Sequence, residues 1–212
     1  LKIGREDDRI GLNAVRSYEV ALDGVRVPKG ACLEAPGRPW QAAYDRFLAR
    51  VWITSAARSI GAARAALECA IRYAQERSAF GRKIGSFQGI AFKIADMAID
   101  VDGARWLVWR AASELEKGRD DALRHSALAA IHANDAAVRV GIDAVQVLGG
   151  AGFVEDYPVE KWLRDARALA MVGGIDLLRS HLAAEREYGP LEVGQAPDPA
   201  AAFAAFGQAF GG

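Results

Sequence analysis

The chain has 212 residues, 51% of them apolar, and its 27 basic side chains balance its 27 acidic ones. This balance argues against a nucleic-acid partner, which selects for a basic excess, and no apolar run approaches the roughly 20 residues of a membrane-spanning helix. The two cysteines, Cys32 and Cys69, are too few for a disulfide framework and indicate a reducing, cytoplasmic setting.

The first forty residues carry strand signals. Ser17–Leu22 alternates apolar with polar or small side chains, Asp23–Gly24 is a turn signal, and Val25–Val27 resumes the alternation until Pro28 ends it. This pattern predicts a β-hairpin. Because a single hairpin is not stable in water, we expect it to join a larger sheet or to pack on helices. The chain begins with Leu1 and without a signal-peptide pattern, which we interpret as a piece of a longer protein.

Helical periodicity begins near Trp40. Apolar residues at spacings of three and four predict a first helix and, after a short connection, a second. The first stripe comprises Ile53, Ala56, Ile60, Ala63, Leu67, Ala70 and Ala74, and the second comprises Phe87, Ile90, Ile94, Met97, Val101, Ala104, Val108, Ala111 and Leu115. Gly118 is predicted to end the second helix in the left-handed conformation.

An alanine-rich third helix is predicted from about Asp120 to Leu148, where a run of glycines ends it. Pro158 fits the first turn of a fourth helix, which we extend to about Tyr188 and which Gly173–Gly174 could break. Long helices with short connections are typical of an antiparallel four-helix bundle. We therefore predict an all-α fold, an antiparallel four-helix bundle preceded by a short β-hairpin.

Four separated segments of the chain resemble the signature motifs of the acyl-CoA dehydrogenase family. They are Tyr73–Gly81 followed by Ile84–Gln88, Ala95–Met97, Gln146–Phe153, and Tyr157–Lys161 followed by Arg164–Ala166. Upstream, Val25–Pro28 resembles the strand that leaves the middle β domain of that family. Each motif is weak alone, but their order and spacing are specific. The resemblance spans roughly Arg5 to Tyr188.

The resemblance implies a protein of three parts: an amino-terminal helical domain, a middle β domain and a carboxy-terminal bundle. Residues 1–38 would be the end of the β domain, 39–189 the bundle, and 190–212 a tail that we expect to be mobile. The resemblance also implies FAD as cofactor, an acyl-CoA thioester as substrate, and homo- or hetero-oligomers formed through the bundle. Because most of the β domain that would hold the isoalloxazine is outside this chain, we expect the chain by itself to be inactive.

Three residues of the first motif are candidate FAD contacts through the resemblance. Arg77 matches the family arginine that contacts the FAD pyrophosphate, and a guanidinium suits phosphate because it binds two oxygens at once. The alternative interpretation of Arg77 is a solvated arginine at a helix end. Phe80 could pack on the flavin nucleotide, although for a lone Phe the core is the favoured interpretation. Gln88 matches a position near the cofactor, or is simply an early residue of the second helix.

The end of the third helix supplies three further candidates. Gln146, Gly149 and Gly150 match the segment that approaches the adenine end of FAD from the adjacent subunit. Glycines there would bring backbone N–H groups close to a ligand. Their alternative role is to end the helix and turn the chain, and both roles are compatible. No strand precedes these glycines, so they are not a Rossmann fingerprint.

The resemblance also implies a catalytic base, because the family chemistry removes the proton alpha to the thioester while a hydride leaves the beta carbon for the flavin. Most members carry this Glu nine residues after the Arg of the last motif, where this chain has Gly173. Other members place it on the first bundle helix, near Val51 and Trp52. Neither position carries an acid, so the catalytic residue is unassigned, with Asp176 as a weak substitute.

Three interpretations of the missing base stay open. The protein is an FAD-dependent acyl-CoA dehydrogenase-like enzyme whose acid lies elsewhere, or a non-catalytic subunit of a heteromeric dehydrogenase whose related partner supplies the Glu. The third is a family member reassigned to different flavin chemistry, or to none, in which case the chain is a helical interaction domain without flavin chemistry.

Other residues are assigned from their positions. Trp106 and Trp109 lie off the apolar stripe of the second helix and would face another helix or a subunit. His125 and His132 share one helical face, but without a Glu-x-x-His pair we predict no metal site. Arg164–Asp165 is predicted to be structural, through an ion pair or hydrogen bonds.

Overall fold

A computed structural model describes residues 1–31 and 40–171 of the chain. The amino-terminal part holds two short strands, β1 (Lys2–Glu6) and β2 (Tyr18–Ala21). Residues 40–171 are almost entirely helical, so the predicted fold class, helices preceded by a small antiparallel strand pair, is confirmed.

The pairing of the strands corrects the predicted hairpin. β2 lies within the predicted strand, but its antiparallel partner is β1, with Ile3 opposite Val20. Val25–Val27 forms no strand, although the chain does turn at Gly24, whose φ is 58°. Backbone hydrogen bonds decide the pairing, and β1 was missed because Ile3 is its only large apolar side chain. Ile3 and Val20 are both exposed, and their place in a larger sheet stays a prediction.

The described residues contain five α-helices. They are α1 (Trp40–Glu76), α2 (Gln88–Glu116), α3 (Ala122–Leu148), α4 (Gly150–Phe153) and α5 (Val159–Met171). A small antiparallel hairpin of β3 (Ser78–Ala79) and β4 (Arg82–Lys83) joins α1 to α2. The four long helices form the bundle, in which α3 contacts α1, α2 and α5. The single turn α4 was not predicted.

The bundle core is built largely from alanine. The predicted α1 stripe is buried except for the half-buried Ile53, and the central part of the α2 stripe, from Met97 to Ala111, is buried as well. Between α1 and α3, Ser59 Oγ donates a hydrogen bond to Asn134 Oδ1, and Asn134 Nδ2 donates to the carbonyl of Ala130 at 2.8 Å. Small side chains allow the helices to approach closely. This buried polar pair stabilises one register, since an unsatisfied partner would cost about 1–3 kcal/mol.

The predicted helix ends are confirmed at two glycines and one proline. Gly118 follows α2 with a φ of 64°, and Gly149 follows α3 with a φ of 59°. Pro158 immediately precedes α5, and its carbonyl accepts from the amide of Trp162 at 3.0 Å. No helix within residues 1–31 and 40–171 is long and apolar enough to cross a membrane. The predictions for Gly173–Gly174, for the end of the fourth helix and for the tail lie outside the described residues.

The amino-terminal segment is attached to α5 by the predicted structural pair. Arg164 Nη1 donates to the carbonyl of Ile10 at 2.7 Å, and the amide of Leu12 donates to Asp165 Oδ1, also at 2.7 Å. Burial alone would raise the pKa of Asp165, but the Leu12 amide and the nearby Lys161 and Arg164 outweigh it and hold that pKa below its usual value. Arg164 and Asp165 are therefore structural, as predicted, and join two parts of the chain far apart in sequence.

Candidate functional site

A cleft of about 570 Å³ lies where the end of α1, the β3–β4 hairpin, the start of α2 and the end of α3 meet. Its walls include Tyr73, Arg77, Phe80, Phe87, Gly149 and Gly150. Two sequence motifs separated by about sixty residues thus meet at one surface, and four of the six candidate cofactor contacts lie together there.

Arg77 follows the last residue of α1 and supplies positive charge to the cleft. Its amide donates to the carbonyl of Tyr73 at 2.9 Å, which continues the helical pattern by one residue. Its guanidinium forms no ion pair with any residue of the described ranges. Nearby, Lys83 Nζ caps the Glu76 carbonyl at 2.7 Å, and the Arg82 guanidinium stacks 3.9 Å from the centroid of the Phe87 ring. Arg77 is therefore an unpaired cation, available to an anionic ligand.

The interpretation of Phe80 as a core residue is wrong. Its side chain is 95% exposed, because it stands at the tip of the β3–β4 hairpin. Phe80 and Gly81 have φ angles of 53° and 81°, and two such residues between short antiparallel strands form the tight turn that matches strand twist. The Phe80 ring contacts Phe87 edge-on, with a centroid separation of 6.3 Å. The exposed ring is therefore one wall of the cleft.

Gly149 and Gly150 form the opposite wall of the cleft, and a different property of the structure makes each of these glycines suitable there. Gly149 has φ 59° and ψ −130°, a conformation that only glycine adopts without strain. Gly150 is the first residue of α4, and a Cβ added there would meet no protein atom within 4 Å. By contrast, a Cβ on Gly152 would lie 2.7 Å from the Val145 carbonyl oxygen. Packing thus explains Gly152, whereas the surface beside Gly150 is open and its amide can be approached closely.

The two glutamine candidates lie outside the walls of the cleft. Gln88 is the first residue of α2 and Gln146 lies in the last turn of α3, and both side chains are exposed. The structure thus does not bring them to Arg77, and any cofactor contact they make would be from outside the cleft.

Sequence reasoning missed two aromatic walls of this cleft. Tyr73 opens the first motif and packs edge-on against Tyr157, with ring centroids 5.4 Å apart, which ties the end of α1 to the start of α5. Phe87 immediately precedes α2 and contacts both Phe80 and Arg82. The signal was available, since Tyr73 and Phe87 were the aromatic ends of the motif, but helical periodicity assigned Phe87 to the core.

The positions considered for a base are only partly described. Val51 is half-buried and Trp52 is buried within α1, and neither is acidic. Gly173 and Asp176 lie outside the described residues. Within residues 1–31 and 40–171, no three His, Cys, Asp or Glu side chains cluster as a metal site would require.

The two tryptophans of α2 are largely exposed in the part of the chain that the structure describes. Trp106 and Trp109 are 66% and 56% exposed. Their rings contact each other edge-on, with centroids 5.0 Å apart. Which surface covers the two rings, another helix or a subunit, therefore stays a prediction.

Comparison with known proteins gives consistent matches. The family model described as "Acyl-CoA dehydrogenase, C-terminal domain" matches residues 40–186. The mouse mitochondrial short-chain specific acyl-CoA dehydrogenase is 37% identical over 175 residues, covering 82% of this chain and 42% of that protein. An acyl-CoA dehydrogenase of Bacillus subtilis is 39% identical over 173 residues, covering 81% and 45%.

A solved structure gives the same result at the level of the fold. Butyryl-CoA dehydrogenase from Megasphaera elsdenii superposes with a TM-score of 0.78 at 33% identity, covering 84% of this chain and 46% of that one. The chain therefore spans less than half the length of the relatives it matches.

Proposed function

The chain belongs to the acyl-CoA dehydrogenase family, and we propose that the complete protein is an FAD-dependent oxidoreductase acting on an acyl-CoA thioester. In this proposal the chain contributes the carboxy-terminal bundle and the end of the middle β domain. The reaction is α,β-desaturation, in which bound FAD accepts the hydride that leaves the beta carbon. The observation that carries the proposal is the cleft in which Arg77, Phe80, Gly149 and Gly150 meet.

These residues fit the nucleotide part of FAD. The unpaired Arg77 guanidinium would bind pyrophosphate oxygens, since charge-assisted hydrogen bonds to phosphate are among the strongest available. The open backbone at Gly149 and Gly150 would let the dinucleotide approach closely, and the exposed Phe80 ring would cover a flat ring of the cofactor.

The two glutamines belong to a second part of the proposal. Gln88 and Gln146 lie on the outer sides of α2 and α3, beyond the cleft walls. We assign them contacts to the cofactor from outside the cleft, as expected if the cofactor lies between subunits.

Removal of Arg77 tests the cofactor assignment. In the complete protein, Arg77→Ala should weaken FAD binding on the order of tenfold to a hundredfold, as expected for the loss of charge-assisted hydrogen bonds. Flavin content and affinity would be measured by absorbance after dialysis, with helicity followed by circular dichroism. Arg72→Ala, which removes another exposed α1 arginine away from the cleft, is the matched control. Full flavin retention in Arg77→Ala would refute the assignment.

The missing base favours a second candidate function. Gly173 stands nine residues after Arg164, and α1 offers only Val51 and Trp52 at the other position, so this chain supplies no acid where the family carries one. The alternative is a non-catalytic subunit of a heteromeric dehydrogenase, whose related partner supplies the Glu while this chain supplies part of the FAD site.

Anaerobic titration of the flavin-loaded protein with acyl-CoA thioesters separates the two functions. Bleaching of the oxidised flavin band by the protein alone would establish an enzyme with its own base, and Asp176→Asn would then be the first variant to examine. Bleaching only after a related partner is added would establish the non-catalytic subunit. A protein that never binds flavin would overturn both and leave a helical interaction domain.

A further inference from the structure

Three hydrogen bonds hold the backbone on both sides of Arg77. The amide of Arg77 donates to the carbonyl of Tyr73, and the amide of Ile84 donates to the carbonyl of Arg77, both at 2.9 Å. The third donor is a side chain, since Lys83 Nζ donates to the Glu76 carbonyl at 2.7 Å. The position of the cleft arginine is thus set partly by a lysine that lies beyond the hairpin.

The β3–β4 hairpin returns Lys83 to the end of α1. The antiparallel pairing places Lys83 opposite Ser78, and Ser86 Oγ donates to the Lys83 carbonyl at 2.7 Å. A Cβ added at Gly85 would lie 3.1 Å from the Ala74 carbonyl oxygen, so this segment packs closely on the last turns of α1. The Lys83 backbone is therefore held beside the helix end, within reach of the helix carbonyls.

The carboxy-terminal end of α1 attracts a cation, and Arg77 is adjacent to it in sequence. The last carbonyls of a helix have no intrahelical amide partner and carry partial negative charge, so basic side chains bind them. The last turn of α1, residues 73–76, contains no basic residue. Lys83 binds the Glu76 carbonyl, whereas the Arg77 guanidinium forms no ion pair with any residue in 1–31 or 40–171.

We propose that Lys83 is a positioning residue for Arg77. By binding the helix end, Lys83 leaves the Arg77 guanidinium free to face an anion in the cleft. Lys83 is not a wall of the cleft, so it acts through Arg77 and not by touching the ligand. The inference rests on the proposed function, in which the anion is the FAD pyrophosphate. It goes further by assigning a role to a residue outside the signature motifs.

Removal of the Lys83 ammonium tests this role. In the complete protein freed of flavin, Lys83→Met should weaken FAD binding about threefold to fivefold, because Arg77 must then leave the α1 carbonyls before it binds the cofactor. Lys83→Arg restores a cationic donor and should return the affinity to within about twofold of the unchanged protein. The affinity would be measured by flavin fluorescence during titration, with circular dichroism to confirm unchanged helicity.

Lys117→Met is the matched control. It removes the same charge from the end of α2, away from the cleft, and should leave FAD affinity unchanged. Unchanged affinity in Lys83→Met, or an equal loss in Lys117→Met, would refute a specific role for Lys83.

A double-mutant cycle separates positioning from a general structural effect. In an Arg77→Ala background, Lys83→Met should cause little further loss of FAD affinity, because the side chain through which Lys83 acts is absent. An equal loss in both backgrounds would overturn the proposal, since Lys83 would then shape the cleft or attract the cofactor independently of Arg77.

The same variants distinguish failure of this inference from failure of the proposed function. Weaker FAD binding in Arg77→Ala but not in Lys83→Met would refute the positioning role alone. Unchanged FAD binding in Arg77→Ala would refute the cofactor assignment, and the role of Lys83 with it.

Discussion

The two glycines of α4 differ in what surrounds them, and replacing each with alanine separates packing from ligand binding. At Gly150 an added Cβ has no protein neighbour within 4 Å. At Gly152 the same methyl would lie 2.7 Å from the Val145 carbonyl oxygen and 3.0 Å from Leu148 Cβ, inside a buried position. The two substitutions are chemically identical and two residues apart, so each is the matched control of the other.

The two substitutions should change the free energy of unfolding differently. Gly150→Ala removes backbone freedom from the unfolded chain without a clash, so it should be neutral or stabilising by up to about 1 kcal/mol. Gly152→Ala forces backbone atoms of α3 to move and should destabilise the fold by about 1–3 kcal/mol. In urea, where the unfolding free energy falls by roughly 1–3 kcal/mol per molar, the Gly152→Ala midpoint should fall by roughly 1 M.

Flavin affinity should instead be lowered by Gly150→Ala, the substitution that does not destabilise the fold. In the complete protein, a methyl at Gly150 fills the space through which a dinucleotide would approach the backbone, and affinity should fall about tenfold, equivalent to about 1.4 kcal/mol. Urea unfolding followed by circular dichroism and flavin binding followed by fluorescence would be measured on both variants. Marked destabilisation by Gly150→Ala would contradict the open geometry, and unchanged flavin affinity in that variant would place the cofactor elsewhere.

Two further expectations follow from the pKa directions of the Asp165 carboxyl and the Cys69 thiol. The lowered pKa of Asp165 means that its contact with Leu12 stabilises the fold above the unfolded pKa of about 3.9 and is lost as pH falls through the folded pKa. The urea midpoints of the unchanged protein and Asp165→Asn should thus differ at neutral pH and converge in acid; a pH-independent difference would argue against this linkage. Burial raises the pKa of the Cys69 thiol, with a smaller opposing effect from Arg72. In a Cys32→Ser variant, a thiol reagent should label Cys69 slowly at neutral pH and rapidly in urea, and immediate labelling of the native protein would show that the thiol is accessible.

The helices were largely predictable because their signals are local. Three- and four-residue spacings placed the buried stripes of α1 and α2, and Gly118 and Pro158 marked helix ends through conformations that only a few residue types favour. The pairing of β1 with β2 was not predictable in the same way. Its hydrogen bonds join residues about fifteen positions apart, and β1 has no alternation that would mark it as a strand.

The cleft shows the same division between local and long-range information. Arg77 and the glycines at 149–150 were identified as candidates from motif and composition, but their meeting at one surface depends on how α1 and α3 pack. Phe80 was misplaced for a specific reason: apolar character favours the core, whereas its positive φ at a hairpin tip directs the ring outward. The outward direction of the Phe80 ring becomes clear only from the three-dimensional structure of the turn.

The attachment of residues 10–12 to α5 determines when one contact of the fold can form during synthesis of the chain. The Leu12 amide and the Asp165 carboxylate are 153 positions apart, so this hydrogen bond cannot form until α5 has emerged from the ribosome. At about 5–20 residues per second, the segment waits roughly 8 to 30 s after its own synthesis. β1 and β2 can pair within that interval, but Ile3 and Val20 stay exposed. Until the last described helix has formed, residues 10–12 therefore lack the two hydrogen bonds that attach them to α5.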